Sequence, residues 1–171
     1  MAYTYSKIAT YTVGSGGVPS VSFINIPQTY TDLVIKVSSR STETAYDEAL
    51  LIAFNGSSSN FSWRLLNGSG ANRYSYTGTN NLWAGRSVGT TSANTFSNNE
   101  VYIPNYTSPN NKSFSVDAVV DTNSTTANDL DLFAGLWSDT APISSITMTP
   151  QNGSTVSQYS TFHLYGIKAE V

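Results

Sequence analysis

Alternation with a period of two governs most of this chain. Leu33, Ile35 and Val37 share one face of a run whose other face carries Lys36 and Ser38, and Phe114, Val116, Ala118 and Val120 are opposed by Ser113, Ser115 and Asp117. Successive side chains of a strand point to opposite sides, so this pattern predicts strands with one buried face. Further strands are predicted over 20–26, 49–54, 100–103, 130–137, 143–149 and 161–169. Another is predicted over 3–13, where Tyr5 and Ile8 are expected to touch the core. Turn formers separate these runs. Gly14-Ser15-Gly16-Gly17 and Pro19 end the first, because Gly accepts positive φ and Pro cannot donate to a ladder. Asn55-Gly56, Asn67-Gly68 and Asn152-Gly153 are pairs favoured in tight turns, and 105–112, with Pro109, reads as a loop. The stretch 41–50 reads as a loop or short helix between strands. Strands at this spacing predict an all-β, antiparallel two-sheet sandwich with a jelly roll as the expected arrangement.

One region breaks the alternation. Residues 67–95 read as an irregular loop insertion in which Arg73, Tyr74, Tyr76, Asn80, Trp83 and Arg86 lie among Gly, Ser, Thr and Asn. Long irregular insertions often carry function, and Tyr, Trp and Arg dominate contact surfaces. These six residues are therefore the candidates for contact with a partner or a sugar. Trp63 and Trp137 fall in strand-like segments and are expected in the core; Arg40 and Arg64 are expected to serve buried or interfacial hydrogen bonding.

Composition narrows the picture. A chain of 171 residues suits a single domain over 1–171. Hydrophobic residues make up 39% and charged residues only 11%, against a norm of about 25% charged. Ser, Thr and Asn supply the missing polar surface, which suits packing against protein or sugar better than electrostatic steering. The net charge is −3 and the cations are scattered singly, which argues against a phosphate-backbone partner. With no cysteine there is no disulfide framework and no thiolate metal site. No signal peptide is expected in 1–17, and no apolar run approaches the ~20 residues that span a bilayer.

Catalytic chemistry finds little to work with. The single histidine, His163, lies mid-strand opposite Phe162 and Leu164 and reads as a half-buried strand position. No Gly-x-Ser-x-Gly elbow accompanies it. Asp129 and Asp131 would share one strand face, whereas glycosidase carboxylates flank a sugar from different elements; turn capping at a strand start is the expected role. The segment from Asp121 to Thr125 fails as a calcium loop, because Thr126 and Leu132 stand where Gly and Glu are required. A looser cation site would use Asp121, Asn123 and Asp129. Gly14 to Gly17 gives no phosphate loop. No catalytic residue, metal ligand or cofactor is assigned, and the chain is not expected to be an enzyme.

Three segments carry a resemblance. They are Ile26-Pro27-Gln28-Thr29-Tyr30-Thr31-Asp32-Leu33-Val34-Ile35 with Arg40 after it, Gly135-Leu136-Trp137-Ser138-Asp139-Thr140-Ala141-Pro142-Ile143-Ser144-Ser145-Ile146-Thr147, and Ser160-Thr161-Phe162-His163-Leu164-Tyr165-Gly166-Ile167-Lys168. The last resembles the strand, roughly S-T-F-x-L-Y-G-I, that closes many bacteriophage virion proteins: capsid decoration (cement) proteins, head fibres and tail-associated β-sandwich modules. The resemblance implies a jelly-roll or similar sandwich that forms homotrimers on the virion. It implies a capsid decoration protein that binds the major capsid protein on the outer head surface and stabilises the shell. The alternative is a receptor-binding module of a head or tail fibre that takes a host-surface glycan through Tyr74, Tyr76, Asn80 and Trp83.

Overall fold

The computed structural model describes residues 3–124 and 128–169; Thr125 and Thr126, part of the excluded calcium loop, lie outside them. Twelve strands follow in chain order: β1 (Tyr3–Thr12), β2 (Val21–Phe23), β3 (Asp32–Ser38), β4 (Asp47–Phe54), β5 (Phe61–Ser69), β6 (Asn72–Gly78), β7 (Leu82–Val88), β8 (Asn98–Ile103), β9 (Lys112–Val120), β10 (Asp129–Trp137), β11 (Ile146–Pro150) and β12 (Thr161–Ala169). No helix occurs among the described residues. The strands form two antiparallel sheets in a sandwich. The large sheet has the order β1-β12-β3-β8-β9-β10-β5-β6 and the small one β2-β11-β4-β7.

The pairing has a simple logic. Four antiparallel pairs, β1 with β12, β2 with β11, β3 with β8 and β4 with β7, fall alternately in the large and the small sheet. Two further hairpins, β9–β10 and β5–β6, extend the large sheet past β8. The core lies between the sheets. From the large sheet it takes the alternating residues Leu33, Ile35 and Val37, Phe114 and Val116, Phe133 and Trp137, and Phe162 and Leu164; from the small one, Leu50, Ile52, Phe54, Leu82, Ile146 and Met148. Trp137 is fully buried, as its strand pattern predicts.

Local chemistry explains most boundaries. Asn55 (φ 51°) and Gly56 (φ 70°) end β4 in a tight turn, closed by the Ser57 N–H donating to the Phe54 carbonyl at 2.9 Å; two successive positive φ values are what a type I′ turn requires, here leading from the small sheet to the large one rather than closing a hairpin. Asn67-Gly68 makes no turn. Both residues belong to β5, and the reversal comes after it, at Gly70 (φ 54°), because the Asn67 side chain is engaged inside the fold. Residues 67–95 are likewise not an irregular insertion: they hold the end of β5, all of β6 and all of β7. Alternation fails there for two physical reasons. Strand β6 is a free edge exposed on both faces, so neither face needs apolar residues. Strand β7 is bulged opposite Leu50 and Leu51, at Ala84 and Gly85, which interrupts its period. Of the two N-terminal core candidates, Ile8 packs against the core, whereas Tyr5 is 53% exposed; a bulge at Ile8, between Lys7 and Ala9, changes the register between them. Over 41–50 the chain bends and enters β4 without a helical turn, and the Glu43 carboxylate accepts from the Thr44 and Ala45 N–H groups.

The three segments that carry the resemblance meet in space. The Tyr30 ring lies on Gly166, where a Cβ would come within 2.2 Å of the ring. Gln28 Nε2 donates to the Ile26 and Ile143 carbonyls at 2.8 and 3.0 Å, and the Ile26 N–H donates to the Ser144 carbonyl at 2.9 Å. The Thr31 N–H donates to the Ile167 carbonyl at 2.8 Å. These residues close one end of the sandwich, so their pattern is a packing requirement rather than a chemical one.

A candidate binding groove beside the edge hairpin

In sheet order the large sheet outruns the small one. Strand β7, the edge of the small sheet, packs across β8, β9, β10 and β5, and no small-sheet strand lies beyond it to cover β6. A groove of about 510 Å³ opens there, lined by Tyr46, Trp63, Leu65, Asn67, Ser69, Tyr74, Tyr76, Thr77, Trp83, Arg86 and Asp129.

One wall is aromatic. Trp63 and Trp83 both stack on Phe133, with ring centroids 5.6 and 6.1 Å away and interplanar angles of 29° and 7°. Trp63 Nε1 donates to the Asn80 carbonyl at 2.5 Å, and Gly78 lies so close that a Cβ would come within 2.4 Å of the indole. The Trp is thereby fixed by β6 and the loop that follows it. Opposite, on the free edge, Tyr74 and Tyr76 stack with centroids 5.8 Å apart and stay 43% and 47% exposed. Their hydroxyls have no hydrogen-bond partner among the described residues.

The floor is polar and prearranged. Arg86 reaches three carboxylates: Nε donates to Asp131 Oδ2 at 2.5 Å, Nη1 to Asp47 Oδ2 at 2.5 Å, and Nη1 lies 3.5 Å from Asp129 Oδ2. Asn67 Nδ2 donates to both Asp129 Oδ1 and Asp131 Oδ1 at 2.7 Å, and the Tyr46 hydroxyl donates to Asp129 Oδ2 at 2.5 Å. Burial pushes the Asp47 carboxyl up, against the pull of Arg86 and with the repulsion of Asp129 and Asp131. Burial also pulls the Arg86 guanidinium down, but the hydrogen bond and charge of Asp131 and the charge of Asp47 outweigh it and hold the pKa above the ordinary value. Burial and the bond to Asp129 raise the Tyr46 phenol to about 12. Arg86 lies 5.5 Å from the Trp83 ring centroid, a cation–π distance. Arg86 Nη2, a donor, and Asn67 Oδ1, an acceptor, both on residues that line the groove, have no hydrogen-bond partner among the described residues.

The bulge in β7 sets Arg86. Gly85 adopts φ 116°, and a Cβ there would come within 2.4 Å of Asn99 Oδ1. The Asn99 side chain fills that space: Oδ1 accepts from the Arg86 N–H at 3.1 Å and Nδ2 donates to the Arg86 carbonyl at 2.8 Å. The backbone on both sides of the guanidinium is therefore held by a side chain from the facing sheet.

The fold thus unites four of the six contact candidates, Tyr74, Tyr76, Trp83 and Arg86, in one groove. Arg73 is exposed on the opposite face of β6, and Asn80 contributes only its backbone carbonyl. Asp129 and Asp131 are not turn caps; they are the buried partners of Arg86, because odd positions of β10 face inward. Asp121 caps its own turn by accepting from the Asn123 N–H at 2.8 Å, and no group of acidic or histidine side chains among the described residues is arranged to hold a metal. His163 bonds to Thr10 Oγ1 through Nδ1 at 3.1 Å on the outer face of the large sheet. Arg40 organises 89–95 by donating to the Gly89, Ser92 and Thr95 carbonyls, whereas Arg64 is exposed and makes no ion pair among the described residues. Tyr46, Trp63, Asn67 and Asp129 were missed from sequence; the signal that points to them is the inward parity shared by Asp129, Asp131, Phe133 and by Trp63, Leu65, Asn67. Among the described residues no helix is long and apolar enough to cross a membrane. No protein family, no curated protein and no solved structure matches this chain.

Proposed function

We propose that this protein is a structural component of a bacteriophage particle and that it binds a saccharide in the groove beside β6. The observation that carries the reading is the pairing of an aromatic wall with a polar floor that is fixed before any ligand arrives and still offers one donor and one acceptor, Arg86 Nη2 and Asn67 Oδ1. A sugar ring presents apolar C–H faces and a rim of hydroxyls that both donate and accept, so it complements stacked aromatic rings beside such a floor. A floor already held by ion pairs loses little freedom on binding. The carboxylate oxygens of Asp129 and Asp131 are committed to Arg86, Asn67 and Tyr46, which fits recognition rather than turnover.

The particle assignment draws on the three segments that resemble virion proteins, and the strand order supports a jelly roll. With β5, β6, β9 and β10 set aside, the remaining eight strands, renumbered in chain order, give sheets 1-8-3-6 and 2-7-4-5, the order produced by rolling up one long antiparallel ribbon. Decoration of the head shell, with the major capsid protein as partner and a homotrimer as the bound form, is the second reading; the same segments support it. Copy number per purified virion, measured by quantitative mass spectrometry, separates the two. Parity with the shell subunits establishes decoration, and a handful of copies places the groove at a fibre or tail tip. Binding itself is tested with an array of bacterial surface polysaccharides: loss of the signal on Tyr74→Ala/Tyr76→Ala supports the groove, and an unchanged signal removes it.

A further inference from the structure

The outer face of the large sheet carries an uncovered apolar patch, on the side of β5 and β10 opposite the groove and independent of the function proposed for it. In register across the strands, Val119 of β9 pairs with Leu130 of β10, and Leu132 of β10 pairs with Leu66 of β5. All four point outward; Leu66, Leu130 and Leu132 are 58%, 57% and 53% exposed and Val119 is 39% exposed. Beside them lies a shallow depression of about 420 Å³, floored in part by the small residues Ser115 and Ala134. Single exposed leucines are ordinary on a protein surface, but a contiguous cross-strand set marks a contact.

Charge decides the occupant. On one flank of the patch stand Arg64 of β5 and Arg73 of β6; on the other stands Asp117 of β9. All three are exposed and none takes part in an ion pair among the described residues. The patch is thus basic on one side of β10 and acidic on the other. A two-fold axis running along β10 brings a facing copy's β9 over β5, so Arg64 of each chain meets the Asp117 side of the other and the leucines of both β10 strands meet at the centre. Sheets packed face to face keep their strands near alignment, which this axis satisfies, and an isologous contact requires a self-complementary surface of this kind. We propose that a second copy of this chain docks on the outer face of the large sheet through Leu66, Leu130 and Leu132, oriented by Arg64 and Asp117. The contact is two-fold, unlike the trimer that the resemblance to virion proteins implies.

Sedimentation equilibrium over a concentration series tests it. The wild-type chain is expected to form dimers. Leu132→Glu, at the centre, is expected to weaken them by about thirtyfold or more, the size of a hot-spot loss, with an unchanged circular dichroism spectrum and, at concentrations where the wild type is monomeric, an unchanged unfolding midpoint, because the position is exposed in the single chain. Arg64→Glu is expected to weaken the dimer, and Arg64→Glu/Asp117→Arg to restore it. A monomer throughout the series, a trimer, a dimer indifferent to Leu132→Glu, or a charge reversal that fails to rescue would each overturn the proposal.

Discussion

Replacing Arg86 by Leu removes the cation from a cluster that holds three carboxylates and keeps most of the side-chain volume. The side chains of Asp47, Asp129 and Asp131 are only 6%, 3% and 2% exposed, so water cannot take over the role of the guanidinium. Breaking a buried pair from one side costs about 3–5 kcal/mol, because the remaining charge is left uncompensated. For a chain of this size each kcal/mol moves the midpoint by about 2–4 °C, so a fall of about 6–20 °C is expected. The pH dependence supplies the signature. Burial already pushes the Asp47 carboxyl up, and Arg86 opposes that push; without Arg86 the folded pKa of Asp47 lies further above the unfolded one, and the native state binds the extra proton. Stability of the variant relative to wild type should be best below the ordinary carboxylate range and worsen as the pH rises through the raised value. Urea unfolding at a series of pH values reads this directly. A loss below about 1 kcal/mol, the range of exposed pairs, or a deficit that does not change with pH would refute the reasoning.

Three further outcomes follow from the same geometry. Asp47→Asn keeps an acceptor for Arg86 and removes a charge that burial already disfavours; it should not be destabilising near neutral pH, and any advantage over wild type should fade as the pH falls through the raised Asp47 pKa to the ordinary carboxylate range, read by thermal melts. Gly166→Ala forces a methyl group into the Tyr30 ring and should cost about 1–3 kcal/mol, as overpacking does, measured by urea unfolding. Gly85→Ala meets both the strain of φ 116° and the Asn99 side chain; a cost of about 1–3 kcal/mol is expected from the backbone alone, with loss of groove binding because Arg86 shifts.

Where one face of a strand is buried and the other wet, the sequence spoke clearly: β3, β9, β10 and β12 follow from alternation alone, as does the antiparallel sandwich. The edge hairpin was opaque for the opposite reason. Tyr74 and Tyr76 lie on a strand with no buried face, so nothing forces an apolar period, and β6 reads as loop. The groove was half legible. Its aromatic and cationic members stand out by residue type, but their convergence depends on β5 pairing with β10, a long-range contact that local spacing does not encode. Asp129 and Asp131 illustrate the point: their inward parity was visible, yet a partner for two buried carboxylates could be found only once β7, with its bulge at Gly85, was placed against the large sheet. Asn67 misled because Asn-Gly is a strong turn signal, here overridden by two hydrogen bonds to buried carboxylates.

The most direct test of the central claim is calorimetric titration of the protein with the bacterial polysaccharide fragment selected from the array, for wild type and for Tyr74→Ala/Tyr76→Ala. Both tyrosines stand on an exposed edge, so the variant should unfold at the same midpoint as wild type. The account predicts saturable binding by wild type that is lost in the variant. No binding to any polysaccharide of the array, or equal affinity for both proteins, would contradict it.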